Sequence, residues 1–143
     1  MTEIVACPSC GTKNRVPATA AGFPRCAACH ANLPWIVHAG DGDFDAAIHT
    51  TATVLVDLWA PWCGPCRMVA PGVERAANEL AGRLKTVKVN VDEAPGISAR
   101  FGVQSIPTLL LLQHGKLVAR RVGALSADRL LDWARQAVDA QRT

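Results

Sequence analysis

Several large classes of protein are excluded by what this sequence lacks. No apolar run reaches the roughly 18 residues that a membrane-spanning helix needs; the longest lies in TLLLLQHG (108–115) and is strand-sized. The opening MTEIVACPSC has no basic stretch followed by an apolar core, so no secretory signal is expected. Nor is there a basic patch. The 15 Lys and Arg against 12 Asp and Glu are scattered, and a net +3 spread in this way gives no nucleic-acid footprint. There is no low-complexity tract, and no repeat beyond two short cysteine pairs near the start. What remains is a 143-residue chain, half hydrophobic and 19% charged, with room for one domain and a small appendage.

Against these absences stand six cysteines, every one in a C-x-x-C pair: CPSC (Cys7, Cys10), CAAC (Cys26, Cys29) and CGPC (Cys63, Cys66). The spacing alone suits metal binding, a structural disulfide or redox catalysis. Without a secretory signal, reduced or metal-bound thiols are the expectation, not a disulfide framework.

Composition changes near residue 35. Residues 1–34 hold four of the six cysteines and Pro8, Pro17, Pro24 and Pro34, with almost no periodic apolar pattern. So short a segment cannot bury enough surface to fold alone and needs a staple. CPSCG and CAAC, 15 residues apart, have the C-x₂-C…C-x₂-C form of a tetrahedral zinc site. Gly11 allows the tight turn such a knuckle needs. His30 occupies the corresponding place in the second pair, which should make that turn less regular. It is also a substitute ligand, though four cysteines already complete a shell. Two disulfides or four free thiols are the alternatives. A full four-thiolate shell of Cys7, Cys10, Cys26 and Cys29 leaves no open position, so one Zn²⁺ there would be structural.

From residue 35 the pattern is that of an α/β domain. WIVHAG suits a short strand, and DFDAAIHT a short helix with Asp43 or Asp45 near its start. TVLVDLWA (53–60) is nearly continuous and β-branched, as in a strand buried on both faces. Residues 63–81 have helical periodicity interrupted by Pro71, which should kink the helix. LKTVKVNVD (84–92) reads as an alternating strand, and APGISARFG as a short helix ending at Gly102. PTLLLLQHG and KLVARRVG flank His114-Gly115 as an antiparallel hairpin. The last helix has Ser126 as its N-cap candidate and Leu130, Trp133, Ala134 and Ala137 on one face. His38, His49 and His114 show no ligand spacing and are expected on the surface.

The third cysteine pair differs from the others in its context. Cys63 follows a buried-strand pattern and opens a helical one, so it would lie at a helix N-terminus, where unpaired N–H groups and the helix dipole favour a thiolate. Cys66, one turn on, faces the same side and can close a short disulfide. Asp57 lies in an otherwise apolar strand, where a carboxylate is costly without a role or a partner; the alternative is a tolerated edge-strand charge. Trp59 is expected to pack in the core, and Trp62 to shape the surface beside Cys63.

Residues 37–143 resemble the thioredoxin family. WCGPC matches its active-site signature, and the match extends past the cysteines. Asp57, six residues before Cys63, matches the family's buried acid, and Lys88 the lysine associated with it. SIPT places Pro107 at the family's cis-proline, Pro71 matches its helix-kinking proline, and Gly123 its groove glycine. With the cysteine-rich N-terminus, the whole chain resembles the zinc-containing bacterial thioredoxin 2 group. Arg67 replaces a more usual lysine, and Leu58 an aromatic.

The resemblance implies an α/β thioredoxin fold, a central mixed sheet flanked by helices, over residues 35–143. A zinc-ribbon-like module would occupy residues 1–34. It implies a cytoplasmic, monomeric protein-disulfide reductase with no organic cofactor bound directly. Its partners would be disulfide-containing proteins and an NADPH-dependent thioredoxin reductase. Cys63 would be the nucleophile and Cys66 the resolving thiol; Asp57 would transfer the proton, supported by Lys88. Trp62, Gly64, Pro65, Ile106, Pro107 and Gly123 would line the substrate groove. Two competing readings use the fold as a scaffold: a zinc-dependent protein-binding module, or an oxidant sensor that releases its metal.

Overall fold

A computed structural model of the chain describes residues 2–17 and 22–142. Five strands form one mixed sheet in the order β3 (Trp35–His38), β5 (Leu84–Asn90), β4 (Thr53–Trp59), β6 (Thr108–Gln113), β7 (Lys116–Val122). The first three run parallel and the last two antiparallel. The helices are α1 (Phe44–Ile48), α2 (Gly64–Glu79), α3 (Pro95–Arg100) and α4 (Ala127–Arg142). No helix among the described residues is long and apolar enough to cross a membrane.

The period of two along each strand sorts the core into layers. Val54, Val56 and Leu58 of β4 pack with Val87 and Val89 of β5, Leu110 and Leu112 of β6, and the apolar sides of α1 and α3. Leu55 of β4, with Leu84, Leu109 and Leu111, packs against α2 and α4. β4 is the central strand, buried on both faces as its sequence requires. Asp57 therefore points into the layer that holds α2.

The elements follow their local signals, with informative exceptions. The hairpin turn has φ of 52° at His114 and 77° at Gly115, the pair of left-handed residues that fits the twist of two strands. Ser126 Oγ accepts the Arg129 N–H at 3.3 Å and caps α4. The buried stripe of α4 is Leu130, Leu131, Ala134 and Val138, with Trp133 and Ala137 only half-buried at its margin. Asp43 precedes α1, but its carboxylate accepts the Gly40 N–H at 2.7 Å and does not cap the helix. α2 runs as one helix through Pro71, which is exposed.

The β5 segment does not alternate as its sequence suggested. Lys85 and Thr86 are buried along with their apolar neighbours. Between β3 and β4, both faces of this strand are covered, so a polar residue cannot turn to solvent. Lys85 is 0% exposed and holds its ammonium 4.3 Å from the centre of the Trp35 ring, which faces it in register across β3. An aromatic face offers a desolvated cation partial compensation.

The N-terminus also holds more regular structure than expected. β1 (Thr2–Ala6) and β2 (Lys13–Pro17) pair antiparallel, with the first cysteine knuckle at their tip. Only Asn14 and Val16 of β2 face inward, and one of them is polar, so the apolar alternation was too short to read. Cys7, Val16, Cys26 and Leu33 join the same core as Val37 and Val56. Trp35 Nε1–H donates to Pro17 O at 3.4 Å. Gly82, in the turn before β5, has φ of 85°, and a Cβ there would meet Asn32 Nδ2 at 2.5 Å. The N-terminal segment thus packs at the N-terminal ends of the parallel strands.

Burial depresses the Lys85 ammonium from 10.5 to about 8. The folded state then binds fewer protons than the unfolded state between these values, so Lys85 weakens the fold at neutral pH and ceases to do so as pH rises. Measured by urea unfolding, wild-type stability should rise relative to that of Lys85→Met between pH 8 and 10.5. Parallel curves would contradict the assignment.

Candidate functional site

The two parallel β strands flanking the site end at Trp59 and Asn90, and WCGPC (62–66) runs from the connection after Trp59 into the first turn of α2. Cys63 is the N-cap of α2 in extended conformation (φ −88°, ψ 109°), with Pro65 in the first turn, where its missing N–H leaves no hydrogen bond unmade. Cys66 lies one turn on, its Cα 5.3 Å from that of Cys63, and the two are joined by a disulfide. The Cys66 backbone N–H points at Cys63 Sγ at 3.2 Å. With the helix dipole, this donor favours negative charge on Cys63 once the pair is reduced. Cys63 is 4% exposed and Cys66 6%, so the dithiol meets its surroundings through a small window.

The rim of that window is formed from distant parts of the chain. Trp62 is 67% exposed, and Gly64 and Pro65 are exposed beside it. The Ile106–Pro107 peptide is cis, and Ile106 O lies 3.8 Å from Cys63 Sγ. Gly123 N–H donates to Pro107 O at 2.9 Å, bringing the end of β7 to the same edge. Of the six residues expected to line a groove, Trp62, Gly64 and Pro65 are chain neighbours of Cys63, Ile106 meets its sulfur, and Pro107 and Gly123 continue from Ile106.

Beneath the dithiol lies a cleft of about 130 Å³ lined by Asp57, Trp59, Ala60, Pro61, Cys66, Arg67, Ala70 and Lys88. Asp57 is 3% exposed, and the central position of β4 rules out the edge-strand alternative. Burial pushes its carboxyl from 3.8 up to about 6, and the Lys88 charge, its register neighbour on β5, only partly offsets this. Lys88 is half-buried with its ammonium 5.3 Å from the Trp59 ring centre. An acid that titrates near neutrality in the same cleft as Cys66 can accept a proton from that thiol. Trp59 is half-buried, and its Nε1–H has no hydrogen-bond partner among the described residues.

One contributor, Asp92, escaped the sequence reading, and another, Arg67, was noted there only as a replaced lysine. Asp92 accepts the Trp62 Nε1–H at 3.2 and 3.0 Å through its two carboxylate oxygens, holding the exposed indole beside Cys63. Its own N–H donates to Asn90 Oδ1 at 3.0 Å, a turn marked in the sequence by the N-x-D spacing alone. Arg67 Nη2 donates to Pro61 O at 2.9 Å.

A family profile described as Thioredoxin matches residues 35–136. This chain belongs to the thioredoxin family. It is 46% identical over 102 residues to thioredoxin of Haemophilus influenzae, covering 71% of this chain and 95% of that one. It is 46% identical over 96 residues to thioredoxin of Acidithiobacillus ferridurans (66% and 89% covered). Over 72 residues it is 54% identical to Thioredoxin 1 of Nostoc (50% and 67% covered). With its CxxC dithiol, this thioredoxin-family chain is a thiol–disulfide oxidoreductase.

The other four cysteines form a separate cluster, each sulfur within 4.8 Å of every other. Cys7 and Cys29 sulfurs lie 3.6 Å apart, as do those of Cys10 and Cys26; none is in a disulfide. Four sulfurs about 2.3 Å from one ion at tetrahedral angles would be separated by about 3.8 Å, so the cluster fits a four-coordinate metal. The two knuckles are built alike. Gly11 N–H donates to Cys7 O at 2.8 Å and His30 N–H to Cys26 O at 2.9 Å. Their φ values are 79° and 64°. The expectation of a less regular second turn fails, because His30 adopts the left-handed conformation that Gly11 adopts more freely. Its ring is exposed. Asn14 ties the knuckles together, donating to Thr12 O at 3.0 Å and accepting the Ala27 N–H at 2.9 Å. The Cys29 backbone N–H, then the Asn14 side chain, hold the Cys26 thiol down to about 6.

Asp57 makes the fold more stable in acid than at neutrality. Its raised value means the folded state holds a proton that the unfolded state releases between pH 3.8 and about 6, and this relative stability is lost across that range. Asp57→Asn should therefore raise the unfolding free energy at pH 8 by about 2–3 kcal/mol, with the gain vanishing below pH 4. Urea titrations at pH 3.5 and 8 check this; equal effects at both would contradict it.

Proposed function

We propose that this chain is a zinc-carrying thioredoxin that reduces disulfides in other proteins. The observation that carries this reading is the Cys63–Cys66 disulfide at the start of α2, with Ile106 O on one side and the Asp57 cleft on the other. In the reduced protein, Cys63 as thiolate attacks one sulfur of a target disulfide. A mixed disulfide forms, and the other target sulfur leaves as a thiolate that takes up a proton. Cys66 passes its proton to Asp57 and attacks Cys63 Sγ. The second target thiol leaves, and the Cys63–Cys66 disulfide forms. Two electrons have moved to the target.

Lys88 keeps Asp57 from rising so far that it stays protonated. The edge at Ile106 and Pro107 receives the substrate backbone as an added strand, while Trp62, Gly64, Pro65 and Gly123 shape the groove. The partners are disulfide-containing proteins and a thioredoxin reductase that draws on NADPH to return the two electrons. The setting is the cytoplasm, where such thiols remain reduced.

Residues 1–34 act as a zinc module joined to the catalytic domain of residues 35–143. Cys7, Cys10, Cys26 and Cys29 would hold one Zn²⁺, which cross-links a segment with little core of its own. The S···S separations support this reading. Four closed thiolates leave no site for metal chemistry on a substrate.

Cys63→Ser should abolish dithiothreitol-dependent insulin reduction, and retained activity would sink the catalytic assignment. Elemental analysis should find about one zinc per chain, with little left after Cys10→Ser. Full retention of metal in that variant would overturn the four-cysteine site. Deletion of residues 1–34 should remove the zinc and lower the melting temperature while leaving a measurable reductase rate.

A further inference from the structure

The sequence marks Arg67 only as a charge kept near Cys63, but its geometry suggests a more specific task. The residue starts on α2, one position after Cys66, and its guanidinium reaches back across the β4–α2 connection to Pro61 O at 2.9 Å. Pro61 and Arg67 both line the cleft that contains Asp57 and Cys66. The hydrogen bond therefore joins the helical wall of the cleft to its loop wall on the outer side. Arg67 itself is exposed, while Asp57 and Cys66 are covered. A planar guanidinium, fixed by a directed hydrogen bond, covers such a seam better than a single flexible ammonium.

We propose that Arg67 is the lid of the proton-exchange cleft: clamped on Pro61 O, its side chain sets how far water reaches Asp57 and Cys66. It is a positioning residue, because it acts through the solvation of Asp57 and not on the substrate. A cleft of about 130 Å³ is large enough for water. The degree to which it opens decides how strongly Asp57 is desolvated and how readily the proton taken from Cys66 returns to solvent.

Two effects of Arg67 on Asp57 oppose one another. As a cation it would favour the carboxylate; as a cover it disfavours it. The charged and titratable groups around Asp57 are Lys88 from β5, and Cys66 and Arg67 from α2; β6 presents Leu109 in register and no charge. Burial dominates the Asp57 carboxyl, and Lys88 is the charge that counteracts it. Arg67 is not among the charges that act on the Asp57 carboxyl, so the proposal assigns it the cover and not the charge.

The proposal rests on Asp57 as the buried acid, and its test does not depend on turnover. In protein with ¹³C-labelled aspartate, the Asp57 carboxyl can be identified by its loss in Asp57→Asn and titrated by NMR. Arg67→Ala should move its midpoint toward acid by about half a pH unit or more, with Arg67→Lys in between. The buried indole N–H of Trp59, a residue that lines the same cleft, should exchange with solvent at least about tenfold faster in Arg67→Ala, because local access governs such exchange. An Asp57 midpoint that stays in place or moves toward alkali, or an unchanged Trp59 exchange rate, would overturn the lid. Neither result would touch the dithiol assignment, which stands or falls with Cys63→Ser.

Discussion

A carboxyl group placed in the middle of the central strand constrains the rest of this molecule. Asp57 sits in β4 with β5 and β6 on either side, and period-two alternation turns it toward α2 and away from α1 and α3. Such a group destabilises the fold whenever it is ionised. The surroundings manage that cost in ways that also serve the chemistry. Lys88 supplies a charge at a distance, and the start of α2 brings Cys66 over the acid. A central strand made only of Val and Leu would be more stable and, under the proposed mechanism, would offer Cys66 no proton acceptor. The site is thus a local exception to the packing rules, held by a core that obeys them elsewhere.

Much of this could be read from the sequence because the signals were local and chemical. The β-branched run of 53–60, the helix opening at Cys63, and the turn at His114-Gly115 each carry their own physical cause. The site needed long-range information that a sequence lacks. Ile106 and Pro107 stand 43 residues or more from Cys63, and only the crossing of β6 beside β4 brings them together. Family resemblance supplied that link; periodicity alone could not. Asp92 went unread, and Arg67 was noted only as a replaced lysine, because an aspartate after a strand and an arginine on a helix carry no further signal until their partners, Trp62 and Pro61, are in place. Lys85 was misread for a related reason. Alternation assumes one wet face, and a strand flanked on both edges and covered on both faces has none.

The N-terminal segment is tied to the domain by small, specific contacts as well as by apolar burial. Asn14 bridges the two knuckles, Asn32 packs on Gly82, and Trp35 spans from Pro17 to Lys85. None of these is a cysteine, so the spacing that reveals the cysteine cluster says nothing about its docking. The two knuckles are built alike despite His30 in place of Gly11, so the second turn holds a non-glycine residue in the left-handed region.

The placement of this segment has a consequence for the six thiols as a population. It contacts the sheet where the parallel strands begin, whereas Cys63 lies beyond where β4 ends. A seven-residue strand separates these levels by roughly 20 Å. A thiolate acts on a sulfur only in contact with it, so attack by Cys63 on this segment of its own chain is handicapped by that separation. The segment that carries the other four cysteines is thereby anchored at the far end of the strand from the Cys63–Cys66 pair. Exchange between the two sets of sulfurs is then favoured between molecules over within one, which makes it a question of crowding and concentration.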